Sequence, residues 1–336
     1  MKPVITGIFT TLLLLTFVSC KKSNLEQQTN LDNEIKVENN RLVFSSQEAF
    51  QKTVDALFDG KLDKSVLPNN KSFLSLEKAF SAINWENESA TDASLIDLYN
   101  AGLPLAHQQL LNAKGEVKIG ANIVWYNKNQ KYYIPASQEN EIAHLKANPA
   151  LIEKKARFGK TISLSNEADE QLSGTLTTDL PISGALHSPH QMEFYKTSDL
   201  SKKRKYVHEL AVFYEDFVGG PYWKTYLTLR IKLEYRGGGS WNSSPGEVRF
   251  MQWNLQGTAS VSNGIYTGTY ELPQFVNYSG SVTQAGDYSV PLGRYLGSGT
   301  KVPGAKWVIN ISGSMYHRIV GDADANIYSH SGNPLW

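Results

Sequence analysis

The residues whose types could do chemistry lie in separate stretches, and each set falls short of a complete site. His187 and His190 stand three apart in "HSPH", and His208-Glu209 opens a strand-like run. Imidazoles at that spacing suit a shared metal ion. Pro189, however, puts the pair in a loop, and spacing sets no third ligand, so they read as solvent-exposed loop histidines. In "GDADANIYSH", Asp322, Asp324 and Asn326 alternate like the first ligands of a calcium loop. An EF-hand then needs glycine at the sixth position and an acid at the twelfth, where this chain has Ile327 and Asn333. A polar turn before a last strand is the plainer reading. Glu209, Glu215, Asp216, Glu234 and Glu247 are the acids in or beside strand-like runs. Nothing in their spacing brings two of them to the separation that glycoside hydrolysis requires. His-Glu-x-x-His, Gly-x-Ser-x-Gly, a phosphate-cradling glycine loop and a cysteine pair are all missing from the sequence. The expectation is no catalytic site, no metal site and no cofactor.

Aromatic residues near turns carry the more specific signal. Tyr222 and Trp223 follow "GGP", Trp241 follows "GGGS", and Tyr278, Tyr288, Tyr295 and Trp336 fall in or near turns. Flat apolar rings with a polar rim suit the C–H faces of sugars as well as protein partners. Tyr222, Trp223 and Trp241 are therefore the candidate ligand-binding residues, whereas Trp253 and Trp307, on apolar strand faces, read as core. The basic run Ser201–Lys205, "SKKRK", reads as a solvated turn or a contact for acidic lipid or sugar. A net charge of +1 excludes nucleic-acid attraction as a design theme.

The amino end speaks to address. Met1-Lys2 precedes an apolar run from Val4 to Val18, too short for a membrane span of about 20 residues and laid out as a secretory leader. The chain's single cysteine, Cys20, follows at once. Phe17-Val18-Ser19-Cys20 resembles the bacterial lipobox, with Phe17 where Leu is commoner. That resemblance implies a leader over residues 1–19, diacylglycerol on the Cys20 thiol and a membrane partner held through that anchor. Lys21, rather than Asp, implies the outer membrane. An exported chain without disulfides must rest on a hydrophobic core, and 336 residues suffice for one.

The elements that position these residues fall into three parts. Residues 20–40 are polar and free of aromatics, and read as a flexible tether. Residues 41–155 read as a small α+β domain. Ser45 and Glu48 form a capping-box pattern ahead of Phe50, Val54, Leu57 and Phe58 at helical spacing. Shorter helices are predicted over Leu74–Ile83, Ala93–Tyr99 and Asn140–Lys146, and a hairpin around "NKNQ". The "GEVKIG" strand after a helical region resembles a group of Bacteroidota lipoproteins of unassigned function. From residue 165 to 336, short strands alternate with Gly/Pro/Asn turns. Leu227, Leu229, Ile231, Leu233 and Tyr235 alternate with Thr228, Arg230, Lys232, Glu234 and Arg236, as on a half-solvated antiparallel strand. This part is predicted to be an all-β antiparallel sandwich, immunoglobulin-like or jelly-roll. The function expected is a non-catalytic binding lipoprotein for a glycan or surface ligand. A structural, fimbria-like lipoprotein is the alternative, and a polysaccharide-acting enzyme is a weaker one.

The anchor is open to direct test. The full chain expressed in a lipoprotein-processing bacterium should partition into detergent and carry the mass of its acyl chains, and Cys20→Ser should move to the aqueous phase. Equal partitioning of both forms would remove the anchor.

Overall fold

Leu227, Leu229, Ile231 and Leu233 all have zero exposure. Each contributes about 1.5–3 kcal/mol by leaving water, and the period of two puts all four on one face of β10 (Tyr222–Gly237). The chain is described by a computed structural model over residues 35–62, 67, 73–83, 91–161, 164–165, 189–218, 222–237, 240–244, 246–262, 267–298 and 306–336. Cys20, the leader and His187 lie outside the described residues. Among the described residues no helix is long and apolar enough to cross a membrane.

The fold is mostly β, with a small α+β region at its amino end. β1 (Lys36–Glu38) and β2 (Arg41–Phe44) form a hairpin. Its turn residues Asn39 and Asn40 have φ of 48° and 61°, the left-handed pair that a tight two-residue turn needs and asparagine tolerates. The stretch expected to be tether thus ends in a strand. α1 (Gln47–Phe58) is capped by Ser46, whose Oγ accepts from the Ala49 amide, one residue later than the predicted box. α2 (Leu76–Ser81), α3 (Ala93–Asn100) and α5 (Ile142–Ala147) fall in or close to the expected places. α4 (Leu105–Leu110) lies outside the predicted helices; Pro104 stands at its N-cap, next to where proline is best tolerated. β3 (Glu116–Ile119), β4 (Asn122–Asn127) and β5 (Gln130–Pro135) follow, the last two as the "NKNQ" hairpin.

β6 (Lys155–Thr161) pairs with β5 on one side and with β9 (Asp199–Asp216) on the other. One sheet therefore runs from the amino-terminal region into the carboxy-terminal strands. Its order is β1-β2-β3-β4-β5-β6-β9-β10-β15-β13, with β15 at Tyr288–Ser298 and β13 at Thr267–Tyr270. β8 (His190–Lys196) pairs with β9, and β11 (Ser240–Ser243) pairs with β10. A five-stranded sheet has the order β14-β12-β16-β17: Phe275–Gln284, Arg249–Ser262, Lys306–Ile319 and Tyr328–Gly332. β7 (Leu164–Ser165) adds to β16 in parallel. The two sheets share one core, Leu227, Leu229 and Leu292 from the long sheet meeting Met251, Leu255 and Ile311 from the other. The basic run Ser201–Lys205 lies inside β9 rather than in a turn.

The helices pack on the long sheet around Phe50, Val54, Leu110, Tyr126 and Phe158, and the same cluster takes Phe213 from β9 and Tyr226 from β10. At this joint stands Glu215, wholly buried. Its carboxylate accepts from Lys131 Nζ at 2.9 Å, Gln51 Nε2 at 3.1 Å, Tyr226 Oη at 3.2 Å and His107 Nε2 at 3.3 Å. Burial by itself would raise this carboxyl, but Lys131 and His107 hold it below the ordinary range. α1 is clamped a second time. Its Asp55 meets Lys224 Nζ at 2.7 Å, and its Asp59 meets Arg294 Nη1 at 2.5 Å.

Removing one partner of a buried pair strands the other charge, which costs about 3–5 kcal/mol. Glu215→Ala should lower unfolding stability by that amount in urea titration, and adding Lys131→Met should recover part of it. A loss of under ~1 kcal/mol in Glu215→Ala would mean that the joint does not depend on this charge.

Candidate functional site

Alternation gives each sheet a solvent face, and the two faces differ in chemistry. On the long sheet the outward positions are ion-paired. Glu209 meets Arg230 and Lys232, and Glu234 meets Lys205 and Lys232. Arg204, buried on the inward side of β9 with Tyr206 and His208, meets Glu247 and Asp199. Asp216 pairs with Arg157, and Glu215 is the buried joint. Every acid singled out from the sequence is thus engaged by a cation, and no two are paired with each other for acid–base work.

The outer face of the five-stranded sheet is different. β12 turns out Gln252, Asn254, Gln256 and Thr258, while Met251, Trp253, Leu255 and Ala259 turn in. β16 turns out Asn310, Ser312, Ser314 and Tyr316; β14 turns out Phe275, Asn277, Ser279 and Ser281; β17 adds Ser329 and Ser331. Across the described outward positions of these four strands the one charged side chain is Arg318, which lies 5.9 Å from the Phe250 ring centre. An amide presents both a donor and acceptors, and a hydroxyl does the same, so this face can match ligands whose own groups are hydroxyls.

At one end the face dips into an open groove of about 940 Å³. Gln256, Asn277, Asn310, Ser312, Ser331 and Asn333 line it, with Phe275 on its border. Phe275 is 77% exposed, which places a bare aromatic ring beside amides and hydroxyls. Ser312 Oγ and Asn333 Oδ1 are joined at 2.5 Å, tying β16 to the chain after β17. Gly257 and Gly313, both with φ of 145°, sit in the groove floor on neighbouring strands. That backbone is readily available to glycine alone. An added Cβ at Gly257 would lie 2.0 Å from the Asn310 carbonyl oxygen, and one at Gly313 would lie 2.0 Å from that of Asn254.

The aromatics chosen from the sequence do not form one surface. Trp223 is 1% exposed; it stands in β10 and not in a loop, its ring against Tyr295 and fitted over Gly297. Tyr222 is 52% exposed at the start of β10. Trp241 is half-buried on β11, opposite Arg236, with Lys205 Nζ 4.3 Å from its ring centre. From position 222 to 236 the strand runs roughly 45 Å at about 3.3 Å per residue, which separates Tyr222 from Trp241. Trp253 and Trp307 are core, as expected. Asp322 accepts from the Thr197 amide at 2.9 Å and from Asn326 Nδ2 at 2.8 Å, which closes a turn.

Of the histidine pair read as loop residues, His187 lies outside the described residues, and His190 stands on a strand instead and meets three others between the sheets. His190, half-buried on β8, stacks on His330 of β17 at 4.3 Å between ring centres. His208 of β9 and His317 of β16 have zero exposure. Among the described residues no three His, Cys, Asp or Glu side chains take up a metal-holding geometry.

No family model matches this chain, and no curated protein does. Among solved structures it is similar to the crystal structure of a DUF4848 family protein from Bacteroides thetaiotaomicron. The match has 13% identity and a TM-score of 0.20, and covers 89% of this chain and 99% of that one. At that score the likeness carries no argument, and the site stands on its own geometry.

The glycine pair gives a check on the groove floor. Gly257→Ala should cost ~2 kcal/mol or more in urea unfolding, from strained backbone and the clash with Asn310. Gly246→Ala, where an added Cβ meets nothing within 4 Å, should stay within about 0.5 kcal/mol. Equal stability of the two variants would mean the floor is not held in this conformation.

Proposed function

We propose that this chain is a lipid-anchored, non-catalytic binding protein of the outer membrane, and that its ligand is a neutral glycan held on the outer face of the five-stranded sheet. The observation that carries the reading is the scarcity of charge across that face, with Arg318 alone among the described outward positions, set against the ion-paired face of the long sheet. A solvated sheet face with no ligand to meet has no reason to exclude Lys and Glu, and the long sheet uses both. A glycan offers hydroxyls to amides and apolar C–H faces to a ring such as Phe275. The anchor at Cys20 and the outer-membrane address come from the amino-terminal sequence. Two sheets around one core suit a sandwich, immunoglobulin-like or jelly-roll. The ion pairing of each candidate acid favours binding over cleavage.

One observation favours a structural, fimbria-like role instead. β14 is an edge strand of ten residues, and "FVNYSGSVTQ" has neither charge nor proline to guard its open side. A second copy or a partner strand could add there, and polymer formation by the purified protein would move the weight to that reading.

Affinity electrophoresis through gels containing neutral or anionic polysaccharides tests the glycan reading. Wild type should be retarded by a neutral polymer without shortening it. Phe275→Ala should weaken retardation at least about tenfold, equivalent to ~1.4 kcal/mol. A Tyr222→Ala, Trp241→Ala double variant should run as wild type. Retardation lost in the double variant and kept in Phe275→Ala would move the site to the long sheet. No retardation by any polymer would remove the glycan.

A further inference from the structure

Three imidazoles form a continuous hydrogen-bonded chain across the gap between the sheets. His208 Nδ1 lies 2.8 Å from His330 Nε2, and His208 Nε2 lies 3.1 Å from His317 Nδ1. A neutral imidazole has one N–H and one lone pair, so both contacts are made only when His208 donates on one side and accepts on the other. His190 caps the chain by stacking on His330, and donates from Nε2 to the Leu335 carbonyl at 2.6 Å. The rings thus join β8 and β9 of the long sheet to β16, β17 and the Leu335-Trp336 end.

The groups around them are the tyrosines Tyr206 of β9 and Tyr328 of β17, the Trp336 ring, and Arg249 of β12. Arg249 is wholly buried and itself a cation, and its nearest acid, Asp287, is 3.6 Å away. Among the described residues no carboxylate is bonded to any of the four rings. A first proton can add to the unpartnered outer nitrogen of an end ring, His330 Nδ1 or His317 Nε2, but meets only neutral or positive neighbours there. A second must take a lone pair that is already accepting, and so breaks a hydrogen bond.

β17 carries both the latch and the groove. His330 faces inward beside His208, while the neighbouring Ser331 and, just past the strand, Asn333 line the groove. The strand has five residues, and among the described residues it pairs on one side only, with β16. We propose that the histidine chain is an acid-opened latch that releases β17, and with it one wall of the groove, when the medium acidifies. The part concerning ligand release rests on the reading of this face as the binding site; the opening of β17 does not.

The sign follows from burial. Desolvation first, then the neighbouring imidazoles, push His330 down to about 4 and His208 well below the free value; for His317 the neighbours are His208 and Arg249. Groups held neutral in the closed state and protonated once freed keep the latch shut above the free imidazole value of about 6.5. Closure is then lost progressively as pH falls from there toward 4. Each proton taken up on opening raises the open fraction about tenfold per pH unit.

Hydrogen exchange of the purified full chain, corrected for intrinsic rate, reads this without a ligand. The 328–332 amides should lose protection at least about tenfold per pH unit between 6.5 and 5, while the β10 amides hold theirs. His208→Gln with His330→Gln should flatten that dependence. Where that pair fails to fold, His330→Gln alone should reduce the slope. Protection of 328–332 unchanged between pH 7.5 and 4.5, or an equal loss in the variants, overturns the latch. Polysaccharide retardation that weakens at pH 5 in wild type and persists in a folded variant extends the latch to ligand release. Absence of retardation at either pH removes the glycan reading and leaves the exchange result to decide the latch.

Discussion

Glu215 holds a charge where water does not reach, and the junction of the long sheet is built to compensate it. Four elements converge on this carboxylate: α1 through Gln51, α4 through His107, β5 through Lys131 and β10 through Tyr226. His107, Lys131 and Tyr226 are themselves buried, so these three have no water to fall back on, and Gln51 is half-buried. Such a cluster contributes little net stability relative to an apolar one of the same shape. What it does is define which helix face meets which strand, because any other packing leaves a buried group unpaired. The sheet can then continue from β5 through β6 into β9, and the amino-terminal helices become part of the same body as the carboxy-terminal strands.

From that frame the two solvent faces take different roles. The long sheet's outward residues neutralise one another across strands, an arrangement that needs only the sheet itself. The five-stranded sheet presents amides and hydroxyls at alternate positions, groups that both donate and accept. Its inward face carries Trp253, Leu255, Ile309 and Ile311 into the shared core. The floor of the groove depends on two glycines that bring β12 and β16 closer than any side chain allows. The site is thus a property of the sheet, with Phe275 and Asn333 at its margins.

The histidines show how burial changes the meaning of a residue. Each taken alone is a weak base on a strand. Held at 2.8 and 3.1 Å from one another, away from carboxylates and near the Arg249 guanidinium, they are kept neutral and directional. The same core that stabilises the sheets therefore makes the contact between them responsive to acid.

Local patterns determined a good part of this. The alternation along β10 determined its buried face, because period two leaves a strand no other way to hide Leu227 through Leu233. "NKNQ" determined a hairpin, and helical spacing after Ser46 determined α1, to within a residue at its cap. The Asn39-Asn40 turn was legible too, through two adjacent asparagines, but lay in a stretch polar enough to pass for tether. Only the tertiary structure decided the rest. Trp223 and Tyr222 are neighbours in sequence with opposite exposure, since a strand turns successive side chains to opposite faces. His208, His317 and His330 are separated by more than a hundred residues in their hydrogen-bonded pairs or meet across a strand register that no local signal encodes. The amide- and hydroxyl-rich face is likewise assembled from four strands, each contributing a few unremarkable Asn, Gln, Ser and Thr residues. Sequence patterns report on one element at a time; a site shared among elements exists only once pairing and burial have placed them together.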